Sequence, residues 1–261
     1  MTDYRPSRRI LVTGAGSGIG RATAMAFARQ GDTIGLLGHA EVELRKVAEE
    51  VEQLGGAAEV LVADVSNAEA MSTAIKAFAE RDGLHVAVVN AGINGVWAPI
   101  AELQPEEWDK TIAVNLRGSY LTIHHAVPYL KKSGKSAIVV VSSINGTRTF
   151  TSAGASAYSA TEAAQVAMVQ QLAVELAGDH IRINAVCPGA IETAIENNTV
   201  RRDTESVEVP VEFPEGDIPL TGGKSGKASD VASVITFLAS DAARHVTGSL
   251  IYVDGAQSPL R

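Results

Sequence analysis

An apolar run that ends in a glycine-rich turn and leads into a helical pattern constrains this chain more than any other feature. The run is Ile10-Leu11-Val12, and residues 13–20 read Thr-Gly-Ala-Gly-Ser-Gly-Ile-Gly. Apolar side chains then recur with helical spacing until Gly31. Glycines let the backbone approach a pyrophosphate, and the helix N-terminus offers free N–H groups and a favourable dipole. The segment predicts a dinucleotide site; a tight strand–helix turn that happens to be glycine-rich is the alternative.

Strand-like and helix-like patterns alternate along the whole chain. The strand-like runs are 10–12, 33–37, 59–63, 86–89, 136–141, 181–186 and 249–253. This alternation predicts an α/β fold, a Rossmann-type doubly wound parallel sheet with helices on both faces. We expect one domain over residues 1–261, because no repeat or low-complexity segment divides the chain.

Composition bounds the class of protein. The 261 residues are 46% hydrophobic and carry a net charge of −8, which makes nucleic acid and anionic membranes poor partners. A single cysteine, Cys187, excludes an intrachain disulfide and suits a reducing compartment. No apolar run is long enough to span a bilayer, and no signal-peptide core is present. We therefore expect a soluble, cytoplasmic protein. We expect no metal site, because His124 and His125 have no partners at the spacing that metal ligands need.

The end of the second strand bears on the choice of coenzyme. In Rossmann-type folds an acidic residue there binds the ribose hydroxyls of NAD and repels a 2′-phosphate. Here the chain reads Gly38-His39, and the first carboxylate is Glu41. The absence of an acid favours NADP over NAD, although no arginine or lysine is supplied either. His39 could lie beside a phosphate or be an exposed loop residue.

A second segment carries groups suited to proton transfer. A helical pattern begins near Ala157 and runs to about Ala177, and the strand before it ends in Ser142-Ser143. Tyr158 and the residue four positions later lie a turn apart on one helix face. A serine hydroxyl beside the tyrosine would hold a carbonyl oxygen between two donors, an arrangement for proton transfer at an alcohol or ketone.

In combination, these segments resemble the classical short-chain dehydrogenase/reductase family, whose mark is Tyr-x-x-x-Lys and whose coenzyme loop reads Thr-Gly-x-x-x-Gly-x-Gly. The resemblance covers essentially the whole chain. It implies an NAD(P)-dependent oxidoreductase, a homodimer or homotetramer, that moves a hydride between the nicotinamide and a small carbonyl or secondary-alcohol substrate. Tyr158 would exchange the proton, Ser143 would steady the substrate oxygen, and Asn115 would bend its helix and hold a relay water.

The resemblance also implies coenzyme contacts in the loops that follow the strands. Asp64 would hold the adenine, although an Asx turn or helix cap is an alternative for it. Asn90 and its two neighbours would lie along the coenzyme, with a plain strand-end turn as the alternative. The predicted coenzyme-binding residues are Gly14, Ser17, Gly18, Ile19, Gly20, His39, Asp64, Val65, Asn90, Ala91, Gly92, Tyr158, Pro188, Gly189, Ile191 and Thr193.

The chain departs from the family's mark at one position, where Glu162 replaces the lysine. In the family, the charge of this lysine makes the tyrosine hydroxyl more acidic than its ordinary pKa of about 10. An ionised Glu162 would change the local charge by two units, each worth roughly 3 kcal/mol at ~5 Å and an effective dielectric of ~20. The change opposes the phenolate, whereas a carboxylate can still accept hydrogen bonds from ribose hydroxyls.

Three interpretations stay open: an oxidoreductase disabled by a substitution, a natural member with altered chemistry, or a non-catalytic protein that binds coenzyme. Because the other site residues are in place, we favour the first two. A lyase or epimerase on the same scaffold is a further alternative, since fold alone does not decide the reaction.

The region that would select the substrate lacks periodicity. Residues 194–227 contain three prolines and the pair Gly222-Gly223, and a long unstructured segment in a compact domain is usually a lid or binding loop. We predict that it covers the substrate together with loop 93–100, where Trp97 either walls the pocket or packs. Beyond the lid, Ser229-Asp230 is expected to cap a helix that runs to about residue 240.

Overall fold

The structure, a computed structural model, describes residues 7–193, 195, 199–211 and 216–260. Its strands are β1 (Arg9–Thr13), β2 (Thr33–Gly38), β3 (Ala57–Val62), β4 (Val86–Val89), β5 (Gly95–Trp97), β6 (Ser136–Val141), β7 (Ile181–Pro188), β8 (Ile191–Glu192), β9 (Thr199–Arg201), β10 (Gly226–Lys227) and β11 (Leu250–Val253). Its α helices are α1 (Gly18–Ala28), α2 (Glu41–Gln53), α3 (Ala68–Ala79), α4 (Pro105–Thr111), α5 (Gly118–Ser133), α6 (Ser156–Ala177) and α7 (Ala228–Leu238).

Seven strands form the central sheet in the order β11-β7-β6-β4-β1-β2-β3. Every neighbouring pair in this sheet is parallel. The predicted doubly wound α/β fold is therefore confirmed, and each predicted strand-like run coincides with a strand of this sheet. Strand order reverses between β1 and β4, and in such sheets ligands bind in the crevice at the carboxyl ends of the strands on either side of the reversal.

Helices cover both faces of the sheet, so the strands are apolar on both sides. Leu11 of β1 packs in the cluster that includes α3, α5 and α6. Its neighbours Ile10 and Val12 point the other way, into the cluster that includes α1, α2 and α7. Because successive strand residues face opposite sides, one short run supplies both layers of the core.

The helical stretch from α4 to α5 is continuous but wound unevenly. Between the two α helices, Ile112–Arg117 is a π-helix that contains Asn115. Such turns insert an extra residue into the helix and are frequent at functional sites. No helix of the described residues is both long and apolar enough to cross a membrane.

Short strands lie in both segments that were predicted to lack regular structure, loop 93–100 and lid 194–227. The predicted loop 93–100 contains β5, which pairs in parallel with β9 of the predicted lid. At the end of the lid, β10 pairs in parallel with β8, which lies just before the lid. These strands are too short to show a period, so their pairing was missed; residues 194, 196–198 and 212–215 of the lid lie outside the described residues.

The start of α7 also differs from the prediction. Lys227 is the N-cap residue, and Ser229 already lies within the helix. Asp230 sits at the third helical position, where its Oδ2 accepts a hydrogen bond from the Lys227 N–H at 2.8 Å. Asp230 does cap the helix, but it reaches back from inside the first turn.

Candidate active site

A cleft of about 1620 Å³ opens at the carboxyl ends of the central strands. Most of the predicted site residues lie on its walls. They are Gly14, Ser17, Gly18, Ile19, His39, Asp64, Val65, Asn90, Ala91, Gly92, Ser143, Tyr158, Glu162, Pro188, Gly189, Ile191 and Thr193. Gly20 and Asn115 are not on the walls; each acts on the cleft through packing or hydrogen bonds.

The glycine turn between β1 and α1 has the close approaches that its composition predicts. Gly18 has a φ of +52°, which favours glycine. A Cβ on Gly20 would lie 2.1 Å from the Gly14 carbonyl oxygen and 2.7 Å from Asn90 Nδ2. Gly20 therefore lets helix and turn pack together. The N-cap Ser17 makes no side-chain cap, so the first-turn N–H groups of α1 keep their capacity for an anion.

Asn90 ties the turn to the neighbouring strand. Its Nδ2 donates to the carbonyl oxygens of Thr13 and Gly14 at 3.0 and 3.3 Å. The Thr13 hydroxyl in turn accepts from the Asn90 and Ala91 N–H groups at 2.9 and 3.1 Å. The ends of β1 and β4 are thereby held in fixed register beside the glycines.

Asp64, after β3, is held in an Asx turn. Its Oδ1 accepts from both the N–H and the hydroxyl of Ser66 at 2.8 Å. The backbone hydrogen bond from Ser66 is the main reason that the pKa of this carboxyl lies below its usual value, and the charge of nearby His39 lowers the pKa further. The cap of α3 belongs to Asn67, whose Oδ1 accepts from the Ala70 N–H at 3.0 Å.

The wall opposite the glycine turn follows β7. Gly189 packs closely against Gln257, and the Gln257 Oε1 accepts from the Ala190 N–H at 2.8 Å. Thr193 lies against Gly18, where a Cβ would stand 3.2 Å from the threonine Cβ. The segment after Pro188 therefore faces the glycine turn across the cleft.

Asn115 connects three parts of the site from a fully buried position. Its Oδ1 accepts from the Ile93 N–H at 2.8 Å, and its Nδ2 donates to the Ile93 carbonyl at 2.9 Å and to Thr161 Oγ1 at 3.2 Å. The loop after β4 and helix α6 are thus positioned by one amide. The Asn115 carbonyl oxygen already accepts from Ser119 Oγ at 2.6 Å and Gln165 Nε2 at 3.0 Å.

Tyr158 and Ser143 reach the cleft from adjacent elements. The Tyr158 ring lies 6.4 Å from the Trp97 ring, centroid to centroid. Trp97 is itself buried, with its Nε1–H donating to the Asn94 carbonyl at 3.1 Å, so it both packs and walls the cleft. Ser143 Oγ accepts from the Asn145 N–H at 3.2 Å, which leaves the serine O–H able to donate elsewhere.

Glu162 lies against the cleft but is only 4% exposed. Burial raises the pKa of its carboxyl to about 8, although the Ser142 and Thr161 hydroxyls oppose the shift. At pH 7 most molecules therefore carry a neutral carboxylic acid at this position. The two-unit change of charge considered for an ionised Glu162 therefore applies only above about pH 8, because burial disfavours the charge. Burial and the Glu162 charge also raise the pKa of the Cys187 thiol to about 12.

An ion pair, the Glu107–Arg202 clasp, lies at the β9 edge of the cleft. Arg202, just after β9, donates from both terminal nitrogens to the two carboxylate oxygens of Glu107 at 2.9 and 2.8 Å. These bonds lower the pKa of Glu107 to about 2, so the pair stays ionised at neutral pH. Among the described residues, no group of His, Cys, Asp and Glu side chains is arranged to hold a metal ion.

Three residues of this site were missed from the sequence. Gln165, three positions beyond Glu162 on the same helix face, could have been found from spacing alone. Gln257 lies in the C-terminal segment, where no local pattern marks it. Glu43 lies on the cleft wall although it looks like an ordinary acid in a helical first turn.

Known proteins are similar to this chain in both sequence and structure. The profile of the family described as enoyl-(acyl carrier protein) reductase matches residues 14–256. The chain is 36% identical over 246 residues to the 3-oxoacyl-(acyl-carrier-protein) reductase FabG of Thermotoga maritima, covering 94% of this chain and 95% of the relative.

Two solved structures are similar along almost their whole length. A 3-ketoacyl-ACP reductase from Sinorhizobium meliloti has 56% identity and a TM-score of 0.93, with 97% of this chain and 100% of the other covered. A 3-ketoacyl-(acyl-carrier-protein) reductase from Brucella melitensis, complexed with NADH, has 30% identity and a TM-score of 0.82, with 96% and 98% covered.

Proposed function

We propose an oxidoreductase function for this chain, which belongs to the classical short-chain dehydrogenase/reductase family. In this proposal, the cleft binds NAD or NADP and transfers a hydride between the nicotinamide and a carbonyl or secondary alcohol. One observation carries the proposal. Tyr158 and Ser143 share a single cleft with the glycine turn and the free N-terminus of α1. Hydroxyl donors and a dinucleotide cradle in one cleft suit redox chemistry at an alcohol carbon.

Each residue has a distinct part in this proposal. The bound nicotinamide would supply or accept the hydride. Tyr158 exchanges a proton with the substrate oxygen, and the Ser143 O–H donates to the same oxygen. Asn115 positions the tyrosine, because its amide bonds Thr161, whose hydroxyl donates to the Tyr158 carbonyl at 2.7 Å.

Glu162 weakens the proton transfer in this account. A neutral acid supplies no positive charge to make the tyrosine hydroxyl more acidic, and above about pH 8 it becomes an anion that repels the phenolate. A carboxyl group in either state can still hydrogen-bond to ribose hydroxyls. Coenzyme binding is therefore retained while turnover is slow.

The second candidate function is coenzyme binding without turnover. The burial of Glu162 favours it, since a neutral acid occupies the position where the family's reaction uses the positive charge of a lysine. The two candidates differ in whether any substrate is converted, and they share the coenzyme site.

The substrate is proposed to enter beneath the lid, residues 194–227. Trp97 and β9 line this side of the cleft, and the Glu107–Arg202 clasp lies next to them. The Thermotoga and Sinorhizobium relatives are named as reductases of 3-oxoacyl or 3-ketoacyl groups carried by a protein. 3-Oxoacyl thioesters are therefore the first substrate class to test, followed by cyclic ketones and secondary alcohols.

The test combines binding with turnover on the purified chain. NADH and NADPH are titrated by nicotinamide fluorescence, and turnover is followed by nicotinamide absorbance across the three substrate classes. We expect micromolar binding of at least one coenzyme and slow, Tyr158-dependent turnover. Binding with no turnover in any class would leave the second candidate; no binding of either coenzyme would overturn both.

We also propose that the chain forms a homodimer or homotetramer through α5 and α6. Tyr120 on α5 is 50% exposed and Val174 on α6 is 80% exposed, an apolar surface that a second copy would cover. Analytical ultracentrifugation tests this, and a monomer would refute it. The cytoplasmic location and the absence of a nucleic-acid partner stay predictions.

A further inference from the structure

The adenosine end of the cleft contains a carboxylate that comes from a helix and not from the end of a strand. β2 ends in Gly38 and is followed by His39, so its end supplies no acid. Five positions beyond Gly38, in the first turn of α2, the side chain of Glu43 comes back to the same wall of the cleft.

Glu43 lies directly beside the glycine turn. A Cβ built on Gly16 would stand 3.1 Å from Glu43 Oε2 and 3.2 Å from Glu43 Cβ. Gly16 lies in the turn that would bind the pyrophosphate, and Asp64 and Val65 at the adenine end line the same cleft. The carboxylate therefore lies beside the predicted pyrophosphate subsite, in the cleft that also contains the predicted adenine subsite. The adenosine ribose joins these two parts of the coenzyme, so it would lie near Glu43.

The Glu43 carboxylate is not used elsewhere in the described structure. It makes no cap for α2 and no hydrogen bond or ion pair with any described residue. Its neighbour Glu41 is different, since Glu41 Oε1 accepts from Arg45 Nε at 2.9 Å. Glu43 is exposed in the cleft and remains able to accept hydrogen bonds from a ligand.

This end of the cleft also lacks a cation for a phosphate. Of the described residues on the cleft walls, the lysine and arginine are Lys110 and Arg201, both on the substrate side. Arg201 stacks on the Trp97 ring at 4.5 Å. The remaining candidate, His39, lies close enough to Asp64 for its charge to be partly offset.

We propose that Glu43 selects NAD(H) over NADP(H) by accepting hydrogen bonds from the adenosine ribose hydroxyls and repelling a 2′-phosphate. The inference rests on the proposed coenzyme site and specifies it. It reverses the preference that the end of β2 indicates. The acid that this strand lacks is supplied from the following helix, in a position that the glycine at residue 16 leaves open.

Equilibrium binding of NADH and NADPH tests the selection without any turnover. We expect wild-type protein to bind NADH at least about tenfold more tightly than NADPH, a ratio that shrinks with added salt because charges at an exposed site are screened. Glu43→Gln should bring the ratio close to one, and Glu43→Arg should reverse it. Glu41→Gln, which removes a charge from the same turn, should leave the ratio within about twofold.

Adenosine fragments separate this inference from the rest of the coenzyme site. Displacement of bound NADH by 5′-AMP and by 2′,5′-ADP probes the adenosine end alone. Equal affinity for NADH and NADPH in wild-type protein, unchanged in Glu43→Gln, would overturn the role of Glu43 and leave the proposed function standing. Failure of wild-type protein to bind either coenzyme would overturn both.

Discussion

The two ends of the cleft differ in how their polar side chains are held by hydrogen bonds. At the coenzyme end, hydrogen bonds fix the groups that shape the site: Asn90 bonds the turn after β1, and Asp64 is held by Ser66. At the proton-transfer end, Glu162 is buried and largely neutral, and Gln165 Oε1 is buried without a partner in the described structure. In the proposed function, the pyrophosphate and adenosine contacts and the proton transfer therefore depend on different residues, and a substitution at one end can leave the other unchanged.

The largest effect is expected from a substitution that removes only the proton transfer. In a Glu162→Lys background, Tyr158→Phe should lower kcat by about 1000-fold, because the proton donor is removed. The Kd of the coenzyme should change less than about threefold, since the glycine turn is untouched. Tyr129→Phe, which removes a phenol hydroxyl from α5 outside the cleft, is the control and should leave both unchanged. Retained kcat in Tyr158→Phe would move the chemistry to another residue.

Next in size is the pH dependence of stability that Glu162 creates. Burial raises its pKa from 4.5 to about 8, so the folded protein binds the proton more tightly than the unfolded chain does. That stabilisation is complete below about pH 4.5 and is lost as the pH rises through about 8.

Replacing the acid by a neutral amide removes this dependence. The free energy of unfolding of Glu162→Gln, relative to wild type, should rise by about 3 kcal/mol between pH 5 and 7.5. Urea unfolding at a series of pH values measures the difference. A difference that stays constant with pH would show that Glu162 is ionised in the folded protein.

A smaller effect is expected when the coenzyme end is overpacked. In Gly20→Ala the new methyl group meets the Gly14 carbonyl, so the free energy of unfolding should fall by about 2 kcal/mol and coenzyme affinity should fall with it. Gly178→Ala is the matched control, because nothing lies within 4 Å of its Cβ. That variant should be neutral or gain up to about 1 kcal/mol. Equal stability of the two variants would contradict the close approach at Gly20.

The smallest expected effect concerns the cover on the substrate side. Arg202→Gln removes the clasp to Glu107, and we expect KM to rise by about two- to fivefold in the Glu162→Lys enzyme, because exposed ion pairs are individually weak. The coenzyme Kd should not change. Arg45→Gln breaks an exposed pair on α2 and serves as the control. A change in coenzyme Kd in Arg202→Gln would show that the two ends are coupled.

The sequence predicts the sheet well because its physical cause is local. Each buried parallel strand is a short apolar run between turn residues, and the core alternation at Ile10, Leu11 and Val12 follows from the strand itself. The glycine turn is equally visible, since close backbone approach requires specific residue types. Helix α6 begins within one residue of its predicted start, because its helical pattern is also a local feature of the sequence.

What the sequence misses depends on contacts between distant segments. The pairing of β5 with β9 joins residues about a hundred positions apart and leaves no period in either segment. The protonation of Glu162 depends on burial, which residue type alone does not reveal. Glu43 and Gln257 acquire their positions from the packing of α2 and of the C-terminal segment.

The comparison of wild type with Glu162→Lys tests the central claim most directly, with coenzyme binding and turnover measured side by side on the same preparations. We predict that the lysine raises kcat by at least about 100-fold on the best substrate class while the coenzyme Kd changes less than about fivefold. A lysine variant that binds coenzyme and converts none of the ketones, thioesters or alcohols would contradict the claim that a disabled proton-transfer site lies in this cleft.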